Sequence, residues 1–331
     1  MARYSYHASH EQFTPSQLVT LSRMAERYRF DGVFCSDHLQ PWAPAQGQSG
    51  HAWVWLGAAL QATNHISFGT VTVPGGWRYH PVTLAQSVAT LCDLFPGRLP
   101  WIALGSGEAL NEVPMGGEWP SKETRDQRLI EGSAMVRRLL QGDTVISEGP
   151  ISARRARIWV RPPQVPTLFG AAMTEATARQ AGAWADGLLT LGRDLDKLRR
   201  IIDAFREGGG SGKPVHVKLD TCQGPSIEAA RQEAHGQWRF ACLPPHLHHE
   251  LGFPMAFEAA SASVQPQDMD GHVLLWSDPR ALVEHTWSCL RLGVEWVSFH
   301  HVGSNQALFI QTLGSDVVPA LRLRERRPNA L

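Results

Sequence analysis

Gly32-Val33-Phe34-Cys35-Ser36-Asp37-His38-Leu39-Gln40-Pro41-Trp42 joins a short apolar run to a polar loop that Pro41 keeps from turning helical early. An apolar run that stops on Asp37 and His38 has the form of a buried parallel strand delivering side chains past its carboxyl end. In a closed parallel barrel that end is the reaction face. An imidazole placed there moves protons near neutral pH, and Trp42 supplies a flat apolar surface beside it. Alone, an Asp-His pair in a loop reads as a turn with a satisfied imidazole, so the rest of the chain decides.

Outward from this stretch, short β-like runs alternate with longer helical ones. Residues 3–7 read as a strand, and 14–29 as a helix with Leu18, Leu21, Met24 and Ala25 on one face and Thr14-Pro15 at its start. Further strands are expected at 66–73, 99–104, 167–171, 187–190, 215–222 and 296–301. Helices are expected at 53–62, 81–95, 122–140, 175–183, 195–205, 227–240 and 308–313, with a small β excursion at 158–160. Repeated strand-helix units predict an α/β fold, a (β/α)8 TIM barrel forming one domain over residues 1–331. The rival doubly wound sheet wants a Gly-x-Gly-x-x-Gly turn after the first strand, and His7-Ala8-Ser9-His10 offers no glycine. Two stretches break the rhythm: the flexible loop 43–51, and an irregular insertion at about 241–276.

Composition narrows the function. The chain has 331 residues, 43% of them apolar and 19% charged, as expected for a globular protein with a large core. Its 31 Lys and Arg balance 31 Asp and Glu, which argues against nucleic-acid and anionic-membrane partners. Five scattered cysteines fit reduced core thiols better than disulfides. The first residues have no signal-like character and no run reaches transmembrane length, so a cytoplasmic location and no membrane partner are expected.

Polar residues gather at the expected strand ends: His7, Asp37 with His38, Thr72, Glu108, Thr190, Thr221, and His300 with His301. A carboxylate and several histidines in one mouth suit acid-base work. Glu108 follows Gly105 and Gly107, which let backbone approach a ligand, although the same glycines also fit a plain turn. His246, His248, His249 and Glu250 follow Pro244-Pro245 at a spacing that does not place three nitrogens on one helix face, so no metal site is expected.

Three long motifs in order carry a resemblance: Ser36 to Trp42; Thr70-Val71-Thr72-Val73-Pro74 leading to Trp77-Arg78-Tyr79-His80-Pro81; and Gly105 to Glu112. Together with Trp184 to Leu188 and Phe299 to Gly303, they resemble the bacterial luciferase-like superfamily of barrel oxidoreductases. The match is to the branch that includes deazaflavin (coenzyme F420) dependent glucose-6-phosphate dehydrogenase. Ala8 to Phe13, Gly47 to Trp53 and Pro74 to Trp77 are similar to a sister subgroup thought to use FMN.

The resemblance implies roles. His38 takes the substrate hydroxyl proton while hydride leaves for the flavin ring, Glu108 donates a proton near the ring's N1, and the two flank the ring from opposite sides. Trp42 shields the reacting centre. Asp37, Asn111, Val71 and Thr72 lie beside the ring, the last two joined by a cis peptide that bulges against it, and Gly170, Ala171, Ala172 and Thr174 hold the cofactor phosphate at a helix start. Thr190, Arg193 and His300 are expected to meet the substrate. Met255 to Glu258 lacks the lysine that a sugar phosphate site wants, so a less charged alcohol, carbonyl or alkene is expected. The expected cofactor is FMN, with coenzyme F420 as the alternative, and a homodimer is implied. A flavin-binding barrel without turnover is a further alternative. A metal-dependent hydrolase would want His-x-His on the first strand, which has a lone His7.

Overall fold

A computed structural model describes residues 1–74 and 78–326. Its main sheet runs through eight parallel strands: β1 (Arg3–Ala8), β2 (Gly32–Cys35), β3 (Ser67–Thr70), β4 (Trp101–Gly105), β5 (Thr167–Ala171), β6 (Gly187–Leu191), β7 (Val215–Gln223) and β8 (Val294–His301). β1 lies between β2 and β8, with Tyr6 opposite both Val33 and Phe299. The order continues from β8 through β7, β6 and β5 to β4.

The ring closes between β3 and β4 by a break in strand three. Thr70 still pairs with Cys35 of β2, whereas Val73 and Pro74 pair with Leu104 and Gly105 of β4. Val71 and Thr72 span the switch, so the strand expected over 66–73 is two pieces. No peptide bond among the described residues is cis. This corrects the cis linkage expected at Val71–Thr72; a trans bulge makes the change of partner. Gly75, Gly76 and Trp77 of the resemblance motif lie outside the described residues.

The helices around the barrel are α1 (Pro15–Arg27), α2 (Ala52–Gln61), α3 (Pro81–Leu94), α4 (Lys122–Gln141), α5 (Glu175–Trp184), α6 (Leu195–Phe205), α7 (Ile227–Trp238) and α8 (Pro279–Arg291), with Gln306–Thr312 after β8. Thr14 and Gln17 form a reciprocal capping box at the start of α1, and Pro15 sits where its missing N–H costs nothing. The expected excursion at 158–160 is not a strand. A hairpin of Val145–Ser147 and Ala153–Ala156 occurs instead. The insertion is less irregular than its sequence suggests, holding short helices Pro245–Glu250 and Pro254–Ala260 and a strand, Leu274–Trp276, beside β7.

Side chains alternate between the two faces of each strand. Tyr4, Tyr6, Val33, Leu188 and Phe299 pack outward beneath the helices. Phe34, Trp101, Phe169 and Trp296 fill the barrel, with Phe34 stacked on Trp101 at 4.0 Å between ring centres. This aromatic plug leaves the carboxyl end of the strands as the open mouth. A second cluster, including Phe240, Phe257 and Met269 from the insertion, roofs one side of it.

Candidate active site

His38 follows β2, and Ser49 Oγ donates to its carbonyl at 2.6 Å, fixing the loop. Glu11 follows β1, and its carboxylate lies 3.3 Å from His38 Nε2. Ser36 and Ser9 hydroxyls both donate to Glu11 Oε2, at 2.6 and 2.8 Å. Burial opposes ionisation of Glu11, but His38 and these hydroxyls outweigh it and hold its carboxyl below the usual range.

Asn111 sets the other side of the imidazole. Its Oδ1 accepts the Leu39 amide at 2.8 Å, which turns its Nδ2 toward His38 Nδ1 and Glu108 Oε2, each at 3.2 Å. An amide NH2 only donates, so His38 Nδ1 carries the lone pair and Nε2 carries the proton, on the side of the ring that lies near Glu11. The resulting chain, Glu11–His38–Asn111–Glu108, crosses the mouth from β1 to β4. His38 and Glu108 keep 13% and 24% side-chain exposure, so both reach the opening.

One expectation is corrected here. His38 Nδ1 and Glu108 Oε2 are 3.8 Å apart, which leaves no room for a ring between them. The two lie side by side, held together by Asn111, rather than on opposite faces.

Trp42 lies 5.0 Å from the His38 ring, tilted by 54°, and stacks on Phe240 at 5.3 Å with Phe257 at its edge. It thus ties the loop after β2 to the roof. Asp37 is buried and bound: Arg78 Nη2 lies 2.7 Å from Oδ1, and Tyr79 Oη donates to the same oxygen at 3.1 Å. Its Oδ2 is buried without a partner. Val71 packs against the barrel plug. A Cβ added at Gly105 would lie 2.6 Å from the Thr72 methyl, so Thr72 and Gly105 bound a tight cradle where β3 meets β4.

The loop expected to hold a cofactor phosphate fits that expectation in part. Thr174 caps α5, accepting from the Thr177 amide, and Ala171 is half-buried at the end of β5. Gly170 faces outward, where a Cβ would strike Ala181 and Ala185, and the Ala172 amide is taken by the Leu189 carbonyl. These two positions offer the cofactor less than the resemblance implied.

All three expected substrate residues shift. Thr190 shares the outer face with Leu188 and is buried, because Leu189 takes the barrel side; Leu191, 38% exposed, is on the same strand face as Leu189. Arg193 is committed to the Asp270 carbonyl at 2.6 Å. His300 is wholly buried and donates from Nδ1 to Asp220 Oδ1 at 2.6 Å, so it stands behind Asp220 rather than in the opening.

Sequence reading missed Glu11, Asp220, Lys218 and Glu112. Lys218 and Asp220 continue the inward face of β7 two and four residues after His216, a period-two signal. Burial opposes ionisation of Asp220, but Lys218 and His300 hold its carboxyl well below the usual range. Burial also pushes Glu112 up to about 7, helped by the Glu108 and Asp37 carboxylates and opposed by Arg78. Among the described residues, no three His, Cys, Asp or Glu side chains are grouped to hold a metal ion, and no helix is long and apolar enough to cross a membrane.

A family model described as Luciferase-like monooxygenase matches residues 2–294. An F420-dependent glucose-6-phosphate dehydrogenase of Beutenbergia cavernae is 33% identical over 99% of each chain. A protein of the same description from Nakamurella multipartita is 34% identical over 97% of this chain and 96% of that one. A solved F420-dependent secondary alcohol dehydrogenase, in complex with an F420-acetone adduct, superposes with a TM-score of 0.90 at 28% identity, covering 97% of this chain and 99% of that one. The coenzyme F420 dependent tetrahydromethanopterin reductase of Methanopyrus kandleri shares the fold at a TM-score of 0.78 and 19% identity, over 97% of this chain and 99% of that one.

Proposed function

The chain belongs to the luciferase-like monooxygenase family and is an oxidoreductase, and on that premise we propose that it transfers hydride between coenzyme F420 and a small uncharged secondary alcohol or its ketone. The observation that carries this reading is the chain Glu11–His38–Asn111–Glu108 at the mouth. Its one basic nitrogen, His38 Nδ1, accepts from Asn111 Nδ2 beside the Glu108 carboxylate, on a side chain that reaches the opening.

When bound, the deazaflavin supplies a planar two-electron acceptor for hydride. The protein's own groups move the proton. Asn111 fixes the tautomer, and the Glu11 carboxylate beside Nε2 supports positive charge on the imidazole. The substrate hydroxyl displaces the Asn111 amide from His38 Nδ1, which takes the hydroxyl proton as the C–H electron pair leaves with the hydride and the C=O bond forms. Asn111 keeps Glu108 next to that nitrogen, where its charge stabilises the imidazolium and its oxygen passes the proton outward. Trp42 and the roof behind it exclude water. Asp37, Val71, Thr72 and Asn111 would border the ring, and Ala171 with Thr174 would face its phosphate.

Coenzyme F420 has more behind it than the FMN expected from the motifs. A reduced flavin anion wants positive charge near N1, whereas this mouth presents Glu108, and Arg78 is committed to Asp37. The relatives named above are F420 enzymes as well. An uncharged substrate follows from the same pairing: Arg193 is tied to Asp270, Arg239 to Glu258 and Lys218 to Asp220. A phosphate dianion would meet the Glu258 and Asp220 carboxylates beside two of these cations.

Titration with F420 and with FMN tests the cofactor, and loss of deazaflavin absorbance on adding isopropanol tests the reaction. Tighter FMN binding, or no reduction by isopropanol with F420 bound, overturns the proposal. A homodimer in the cytoplasm belongs to the same proposal, and light scattering on the purified protein checks its assembly.

A further inference from the structure

We propose that the Lys218–Asp220 ion pair is a second substrate subsite in the same mouth, one that takes a hydroxyl group, so that diols and polyols are preferred over monohydric alcohols. The inference rests on the dehydrogenase reading and adds to it a substrate class.

The pair is built into the wall. His216, Lys218 and Asp220 share the inward face of β7, and His216 packs on Phe169 within the barrel at 4.3 Å. Lys218 Nζ and His300 Nδ1 both contact Asp220 Oδ1, at 2.5 and 2.6 Å. A carboxylate has about four acceptor directions, and Asp220 Oδ2 receives none of these bonds. Both side chains keep 14% exposure while His300 behind them has none. The accessible face therefore shows an acceptor on Asp220 and unused N–H donors on Lys218, side by side.

Charge decides what binds there. The pair is neutral as a whole, so it neither attracts an anion nor pays for one. An anion would meet the carboxylates of Asp220, Glu11 and Glu108, and an amine would meet the Lys218 ammonium. A hydroxyl, which both donates and accepts, satisfies both partners at once. The Trp238 indole beside Lys218, at 5.6 Å, gives the substrate carbon an apolar edge.

The position suits a two-point substrate. Asp220 on β7 leads through His300 on β8 to His7 on β1, whose ring centre is 4.5 Å from that of His300. Glu11 follows on the loop after the same strand, and His38 follows β2. Three strand spacings separate the subsite from His38, about 14 Å along the rim, shortened by two inward-reaching side chains. A short polyol can offer one hydroxyl to His38 and a neighbouring one to the Lys218–Asp220 pair.

The test compares isopropanol with propylene glycol and glycerol in protein loaded with coenzyme F420. The diol should exceed the monohydric alcohol in kcat/KM by about tenfold, mostly through KM, the worth of one hydrogen bond to a charged group. In Asp220→Asn and Lys218→Met that ratio should fall toward one; two variants are used so that one poorly folded protein does not decide the outcome. Equal kcat/KM for isopropanol and propylene glycol, or a ratio that survives both substitutions, overturns the subsite while leaving the dehydrogenase reading intact. Thermal stabilisation of the cofactor-free protein by propylene glycol over isopropanol gives a readout without turnover. That preference in the absence of any reduction supports the subsite and sinks the dehydrogenase, and its absence without reduction sinks both.

Discussion

Replacing Glu112 by Gln probes the electrostatics of the mouth without touching the proposed proton path. Glu112 lies on the one-turn helix Ala109–Glu112, four residues after Glu108, and is 6% exposed. Its Oε1 is buried without a partner. Burial and the neighbouring carboxylates raise its carboxyl from an ordinary 4.5 to about 7. Between these values the folded protein holds a proton that the unfolded chain has released, so stability falls as pH rises through that window. The loss is complete above the folded value, and a shift of roughly 2.5 units at about 1.4 kcal/mol per unit amounts to about 3 kcal/mol.

Gln has the shape of the protonated acid and cannot ionise. Wild type and Glu112→Gln should therefore be similarly stable near about pH 5, and the variant should be more stable by about 3 kcal/mol near about pH 8.5. Urea unfolding of the cofactor-free protein at both pH values measures the difference. Buried histidines such as His7 and His216 titrate equally in both proteins and cancel in the comparison. Parallel pH dependence in the two proteins would refute the reasoning, since it would mean that Glu112 is already ionised where the fold holds it.

Three further outcomes are expected. Glu11→Gln keeps the size of the side chain but removes the negative charge facing His38 Nε2; kcat should fall by about 10²-fold with F420 affinity little changed, and an unaltered kcat removes the dyad. Gly105→Ala forces a Cβ to within 2.6 Å of the Thr72 methyl, so F420 affinity measured by fluorescence should weaken about tenfold; an unchanged Kd takes this cradle away from the cofactor. Asp37→Asn leaves Arg78 buried with half its partner, and the melting temperature should drop by the equivalent of about 3–5 kcal/mol, most of it recovered in Asp37→Asn with Arg78→Met; a drop that persists in the double variant assigns the cost to something other than the ion pair.

The barrel was legible because its strands are buried on both faces and so read as apolar runs bounded by turns. Gly32–Cys35 and Thr167–Ala171 were read to the residue. Strand three was not, since nothing in Ser67 to Pro74 marks where hydrogen bonding passes from β2 to β4. Helix α8 (Pro279–Arg291) was missed because it follows the insertion and has only three fully buried residues, Leu282, Thr286 and Cys289. The Trp184 to Leu188 motif has a structural use: Asp186 accepts the Leu168 amide at 2.8 Å and pairs with Arg137. The motifs named His38, Glu108 and Asn111, which the structure brings together. Their spacing was not legible, because it depends on which way one amide points.

Register explains why the chemistry lies where it does. Tyr6 pairs with Phe299 and Leu219 with Phe299, which sets His7, His300 and Asp220 at one level on the inner face of three neighbouring strands. A slip of one residue in β7 would exchange Asp220 for Leu219 or Thr221 at that level and turn Lys218 into the helix layer. His300 would then be buried without its acceptor. Packing and chemistry constrain the same alternation: Tyr6, Phe299 and Leu219 belong under the helices for the same reason that His7, His300 and Asp220 belong in the mouth. Substitutions on the outer face of β7, such as Leu219→Ala, should therefore lower diol preference along with stability, whereas Val54→Ala on the exposed face of α2 should alter neither.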